Sequence, residues 1–147
     1  MAGFVALNGG DFSYLGRFVS DVDAGVKNGQ FVVVNHATDK AVLADATTGD
    51  GAVYFVENEL DTIDEQFIDD ADYTVKKGKF LRIKKPHKGQ VYVTTEFTGT
   101  FAKGDKVAVG AGGKAVAIGT RTPETKFVVQ EVTTAYGLPA LNLLVIW

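Results

Sequence analysis

Two neighbouring stretches of opposite charge are the main chemical feature of this chain. Residues 57–72 contain eight carboxylates and no Lys or Arg, whereas residues 76–88 contain seven basic side chains and no acid. Exposed ion pairs contribute only about 0–1 kcal/mol each, so stability alone gives little reason for the arrangement. Two interpretations stay open. The blocks pair within the chain, or they bind a neighbouring copy or an oppositely charged scaffold, because charge complementarity fixes register and speeds encounter.

The candidate contact residues come from these two blocks and from the end of the chain. They are Lys76, Lys77, Lys79, Arg82, Lys84, Lys85, Lys88, Glu57, Glu59, Asp61, Asp64, Glu65 and Trp147. The apolar stretch 141–147 must be buried, either in its own domain or against a neighbour, so its Trp is an ordinary core residue or an interface anchor. Nucleic acid is not an expected partner, because the acidic block beside the basic one would repel phosphates.

Few residues could support catalysis or hold a metal. The chain has no cysteine, and its two histidines, His36 and His87, both fall in predicted turns. Ser13 and Ser20 are its only serines, and neither lies in a nucleophile elbow. The acidic block lacks the ligand order of a calcium loop. We therefore expect no enzymatic activity, metal or cofactor, and keep a small-ligand-binding or enzymatic β-barrel as the alternative from another class.

A glycine turn followed by an apolar β-prone run recurs three times and organises the chain. Gly29, Gly78 and Gly104 each follow Lys-bearing turn residues and precede one polar residue and a strand-like run. Glycine takes positive φ without steric cost, so it can reverse the chain just before a strand. The irregular spacing of the copies argues against a solenoid or propeller.

Composition favours a single all-β domain. The chain has 147 residues, 46% of them hydrophobic, with 17 Gly against 3 Pro. Many short strands joined by glycine turns predict a small β-barrel or compact sandwich, which limits exposed strand edges. We predict an extended N-terminal arm over 1–20, one β-rich domain over 21–147, and at most one short helix, which begins near Thr62.

Individual strands follow from the apolar runs. A hairpin is predicted from 30–35 and 41–44, a strand buried on both faces at 52–57, and two strands at 79–84 and 90–97 that flank a hairpin tip at 85–89. Further strands are predicted at 105–109, 115–119 and 126–133. No signal peptide or membrane-spanning run is found, so synthesis in a cytoplasm and no membrane partner are expected.

Two of the glycine segments resemble a known family. Residues 23–32 (DAGVKNGQFV) are similar to the opening of small structural proteins encoded beside the major capsid protein of tailed bacteriophages. Residues 101–107 (FAKGDKV) resemble the strand entry of phage capsid decoration, or cement, proteins. The resemblance extends over about residues 22–119.

The resemblance implies a virion protein on the outer surface of the head. Such a protein binds the major capsid protein lattice and commonly trimerises at symmetry points. A tail-tube or neck protein of a phage is the alternative within the same class.

Overall fold

In the part of the chain that the structure describes, the fold is built from thirteen strands and two single turns of 3-10 helix, at Thr48–Asp50 and Ala111–Gly113. The computed structural model describes residues 14–15, 17–58, 73–135 and 137–146. The strands are β1 (Tyr14–Leu15), β2 (Val19–Ser20), β3 (Val26–Lys27), β4 (Phe31–Asn35), β5 (Lys40–Leu43), β6 (Tyr54–Val56), β7 (Thr74–Val75), β8 (Ile83–Lys84), β9 (Val91–Thr94), β10 (Lys106–Val109), β11 (Ala115–Ala117), β12 (Phe127–Ala135) and β13 (Leu138–Val145). The predicted all-β class is confirmed.

These strands form three sheets. One has six strands in the order β1-β8-β6-β4-β5-β2, one has five in the order β11-β10-β12-β13-β9, and β3 pairs with β7. In the five-stranded sheet, a parallel bridge joins Phe97 to Ala115. The Thr98 N–H donates to the Ala115 carbonyl at 2.9 Å. The segment after β9 therefore returns to β11, at the opposite edge, so this sheet must curl.

Several predicted strands and the hairpin predicted from 30–35 and 41–44 are confirmed. β4 pairs antiparallel with β5, and β10 pairs antiparallel with β11. In the β4–β5 turn, Asn35 Oδ1 accepts the N–H groups of Ala37 and Thr38, as an asparagine does in a polar turn. β6 is buried through Phe55 and Val56, which point to opposite faces of their sheet.

The predicted hairpin around residues 85–89 is wrong. β8 pairs with β1 and β6 in the six-stranded sheet, whereas β9 pairs with β13 in the five-stranded sheet. Residues 85–90 therefore cross from one sheet to the other. The turn residues at 85–89 resemble a hairpin tip whether or not β8 and β9 pair with each other. The distant partners β6 and β13 decide which sheet each of the two strands joins.

Among the described residues, a glycine turn combined with a bulge occurs at four places. In each turn the residue after the glycine donates its N–H to the carbonyl three residues back, in the pairs Gln30–Lys27, Lys79–Lys76, Gln90–His87 and Asp105–Ala102. The four glycines have φ between 86° and 93°. Each glycine donates its N–H to the carbonyl of a residue on another segment. The N–H of that residue donates to the carbonyl of the residue after the glycine. This is the pattern of a bulge with glycine in the left-handed region.

The residue after the glycine also caps the turn through its side chain. Gln30 Oε1, Gln90 Oε1 and Asp105 Oδ2 accept the N–H of the residue three positions earlier, at 2.8 to 3.0 Å. Lys79 has no acceptor and makes no such bond. The turn at Gly89 is a fourth copy that the sequence analysis missed, although its apolar run, VYV, also follows one polar residue.

Two core clusters share the six-stranded sheet. One face of that sheet carries Phe31 and Phe55, which pack with Phe127 and Tyr92 of the five-stranded sheet at ring-centroid distances of 5.3 and 4.6 Å. The opposite face carries Val32 and Val56 among a second buried cluster. Because successive strand residues point to opposite faces, adjacent residues of one strand serve the two cores.

Both ends of the predicted domain are described in part. From the predicted arm, Phe18 is buried and β2 pairs with β5 in parallel, while residues 1–13 lie outside the described residues. The division at residue 20 stays a prediction. At the other end Leu141, Leu143 and Val145 are buried in the main core. Trp147 and the predicted helix near Thr62 lie outside the described residues.

Substitution of Gly29 tests the turn-and-bulge geometry. A Cβ at Gly29 would lie 2.7 Å from Thr94 Oγ1 in addition to the strain of φ 91°. We expect Gly29→Ala to lower the free energy of unfolding by about 2–4 kcal/mol, the sum of backbone strain and overpacking. Gly104→Ala is the matched control, because its φ is 93° and no heavy atom lies within 4 Å of the added Cβ.

Urea denaturation of both variants measures the difference. The control should lose about 1–2 kcal/mol from strain alone. Equal losses for the two variants would contradict the proposed contact between Gly29 and Thr94.

Candidate protein-binding surface

Two lysines of the basic stretch 76–88 form ion pairs with carboxylates of the same chain. Lys77 Nζ lies 2.8 Å from Asp23 Oδ1 and 3.7 Å from Asp21 Oδ1. Lys84 Nζ lies 2.8 Å from Glu57 Oε2, and the Lys84 side chain is only 13% exposed. Lys84 and Glu57 therefore pair between the two blocks, whereas the acids that pair with Lys77 lie outside the acidic block.

Aromatic rings accommodate two more of the lysines. Lys79 Nζ lies 3.2 Å from Tyr73 Oη and 5.7 Å from the centre of that ring. Lys85 Nζ lies 5.5 Å from the centre of the Tyr54 ring, within the range of a cation–π interaction. Both side chains are half-buried, so their aliphatic parts also cover the surface around the rings.

The other candidate residues differ in how far the structure describes them. Lys76 and Lys88 are exposed on turns, and the Arg82 backbone N–H donates to Asn58 Oδ1 at 2.7 Å. Of the acidic candidates only Glu57 is described. Glu59, Asp61, Asp64 and Glu65 lie outside the described residues, as does Trp147. The acids that meet Lys77 are Asp21 and Asp23, which lie outside the acidic block and which the sequence analysis did not select.

Hydrogen bonds to carboxylates shift three pKa values. The Lys77 ammonium bonds to Asp23, which lowers the pKa of that carboxyl below 3.8 and raises the pKa of Lys77 above 10.5. At Asp45, the backbone N–H groups of Thr48 and Thr47 and the Thr48 hydroxyl lower the carboxyl pKa below 3.8. These groups are exposed, so the shifts describe local pairing rather than a reactive site.

The residues that could do chemistry are dispersed. His36 is exposed and packs edge-on against Phe18 at 5.4 Å, and His87 is exposed on the fourth glycine turn. Ser20 is buried, whereas Ser13 lies outside the described residues. Among the described residues, no group of three or more His, Asp or Glu side chains could hold a metal ion. Over the same ranges, no helix has the length and apolar character needed to cross a bilayer.

Several apolar side chains of the five-stranded sheet are exposed. Val91 and Val93 on β9 are 48% and 49% exposed, and Val132 on β12 is 50% exposed. Val91 lies opposite Leu144 of β13, which lies opposite Val128 of β12, so an apolar row crosses the outer face. In β9, V-Y-V-T, the Tyr and Thr are buried and the valines are not, so the sequence alone would have placed the wrong face of this strand in the core.

The described residues form a β-rich fold with exposed lysines on turns and exposed valines on the five-stranded sheet. Comparison with family models identifies the XM1 gp53 minor capsid protein family, whose model matches residues 2–143. The chain belongs to this family and is therefore a phage capsid protein with a structural role in the virion. Searches of curated proteins and of solved structures gave no match.

Replacement of Lys77 tests the ion pair with Asp23. A carboxyl whose pKa is lowered on folding stabilises the fold above its unfolded pKa, and this contribution is lost as the pH falls through the folded value. We expect Lys77→Met to raise the pKa of Asp23 toward 3.8 and to leave Asp45 below 3.8, because Asp45 is held by threonines. Carboxyl carbon shifts followed by NMR against pH measure both groups. An unchanged Asp23 pKa would refute the pairing.

Proposed function

We propose that this capsid protein decorates and stabilises the phage head by binding the major capsid protein lattice from outside, as a homotrimer and without enzymatic activity. The family match over residues 2–143 carries the proposal, because it establishes a minor component of a phage capsid. The resemblance of residues 23–32 and 101–107 to decoration proteins supplies the finer role.

The packing of the chain supports a subunit that is added to a shell. Both core clusters are formed from residues of a single chain, including large side chains such as Phe31, Phe127 and Tyr73 that are fully buried. Burial of this kind is the dominant favourable contribution to folding, so the free subunit can fold before it meets the capsid. A cement protein needs this property, because it joins a lattice that is already assembled.

The charged surface supplies a plausible means of attachment. Lys76 is exposed, and Lys85 has its ammonium beside a ring rather than a described carboxylate. We propose that these two lysines meet acidic groups of the capsid lattice. Each contact is weak, but many copies on a repeating lattice make the binding multivalent.

Charge reversal tests this attachment. We expect Lys76→Glu combined with Lys85→Glu to weaken binding to expanded heads by at least tenfold at low salt, because attraction is replaced by repulsion. The matched control is Lys103→Glu combined with Lys106→Glu, which changes the net charge equally at exposed lysines outside the basic stretch. Co-sedimentation of each variant with heads that lack the protein measures the affinity.

Three outcomes of this experiment are informative. Loss of binding in the first variant alone supports the basic stretch as the contact, and equal binding by both variants counts against it. If the unmodified chain does not bind heads at all, decoration is refuted. Light scattering of the purified chain tests the trimer, since a six-membered ring would favour a tail or neck protein.

A further inference from the structure

The free edge of β9 is the surface that the proposed attachment does not use. β9 ends the five-stranded sheet and, among the described residues, its ladder partner is β13 alone. The bridge to β11 begins only beyond β9, at Phe97. Natural proteins protect sheet edges with lysines, prolines, bulges or a covering segment. The four residues of β9, V-Y-V-T, contain no charge and no proline, and its two valines are about half exposed.

The hydrogen-bond pattern identifies the backbone groups at this edge. The Val145 N–H donates to the Gln90 carbonyl at 2.9 Å, which directs the backbone of Gln90 toward β13. Bonding direction alternates along an antiparallel strand, so Tyr92 and Thr94 also face β13. The N–H and C=O groups of Val91 and Val93 therefore point away from β13, toward the open side.

The sequence around β9 is complementary to itself when reversed. About Tyr92 as the centre, Val91 corresponds to Val93 and Lys88 corresponds to Glu96. An antiparallel partner with the same sequence would thus place valine opposite valine and lysine opposite glutamate at both ends. Opposite valines stabilise a strand pair by side-chain packing, and the flanking charges fix the register.

We propose that β9 pairs with β9 of a second copy across a two-fold axis at Tyr92, so that the two five-stranded sheets become one continuous sheet. In this register Val91 exchanges both backbone hydrogen bonds with the partner's Val93, and Lys88 lies beside the partner's Glu96. A shift by one residue would place Val91 on the wrong face, and a shift by two residues would separate Lys88 from the partner's Glu96.

The symmetry and the small area of the β9 contact set the expected affinity between two copies. A two-fold contact uses the same patch on both copies, which a self-complementary strand provides. One short strand pair is a small contact, so it forms weakly in dilute solution and more fully where copies are held close together. On the head it would add a two-fold contact between neighbouring copies to the proposed binding of the lattice.

Disulfide trapping tests the register directly, because the chain has no cysteine of its own. Hydrogen-bonded antiparallel partners have Cα atoms about 5.5 Å apart, within the range that a disulfide spans. We expect a tagged Val91→Cys protein mixed with an untagged Val93→Cys protein to give a mixed dimer under mild oxidation. Each variant alone should give at least fivefold less dimer, since like positions are two residues out of register.

A cysteine at Val132 is the control for disulfide formation that does not depend on β9. Val132→Cys exposes a thiol on the same sheet, at a valine of similar exposure and away from β9. Mixed-dimer yield no higher than that of this control would overturn the proposal, as would preferential trapping of Val93→Cys with itself. The experiment uses the purified chain, so it is independent of whether the protein binds heads.

Charge exchange gives a second, reversible readout. Lys88→Glu places like charges at both ends of the strand pair and should reduce trapping of the mixed cysteine variants several-fold. The double change Lys88→Glu with Glu96→Lys restores opposite charges and should recover the yield. If the double change fails to recover the yield, the Lys88–Glu96 register is refuted.

Discussion

The rest of the structure depends on one backbone constraint, the reversal of the chain by a glycine at positive φ. This glycine is both the third residue of a turn and the first residue of a bulge. The glycine N–H donates to a backbone carbonyl of a second segment. The N–H of that same residue donates to the carbonyl of the residue after the glycine. Each turn is therefore fixed to another part of the fold. Because the constraint occurs at Gly29, Gly78, Gly89 and Gly104, it sets the starting direction of the segments that follow.

The sheets could not pack as they do without this fixed entry. Gly29 aligns β4 so that Phe31 enters the main core and Val32 the second core. Thr94 of β9 donates its hydroxyl to the Gly29 carbonyl at 2.8 Å, which joins the two large sheets at the same turn. A side chain at Gly29 would remove the space for that hydroxyl. The turn and the inter-sheet contact are thus parts of one arrangement.

The surface separates into charges satisfied within the chain and groups available to partners. Lys77 and Lys84 have carboxylates within 3 Å, so they hold the protein's own segments together. The valines of β9 contribute little to the folded chain that carries them, since about half of each side chain remains in water. A capsid component needs both kinds of surface, because it must fold alone and then join a lattice. Its family places it in such a lattice.

The sequence by itself determined the all-β class, most strand positions and the glycine turns, because alternation and turn chemistry act between near neighbours. The sequence also limited the charged candidate contact residues to two blocks, 57–72 and 76–88. Only the tertiary structure decided that β8 and β9 lie in different sheets, that Lys77 meets Asp21 and Asp23, and that β9 is an edge. These outcomes depend on segments that lie far apart in the chain, such as Lys77 and Asp23 at a separation of 54 residues, and such pairings leave no local pattern in the chain.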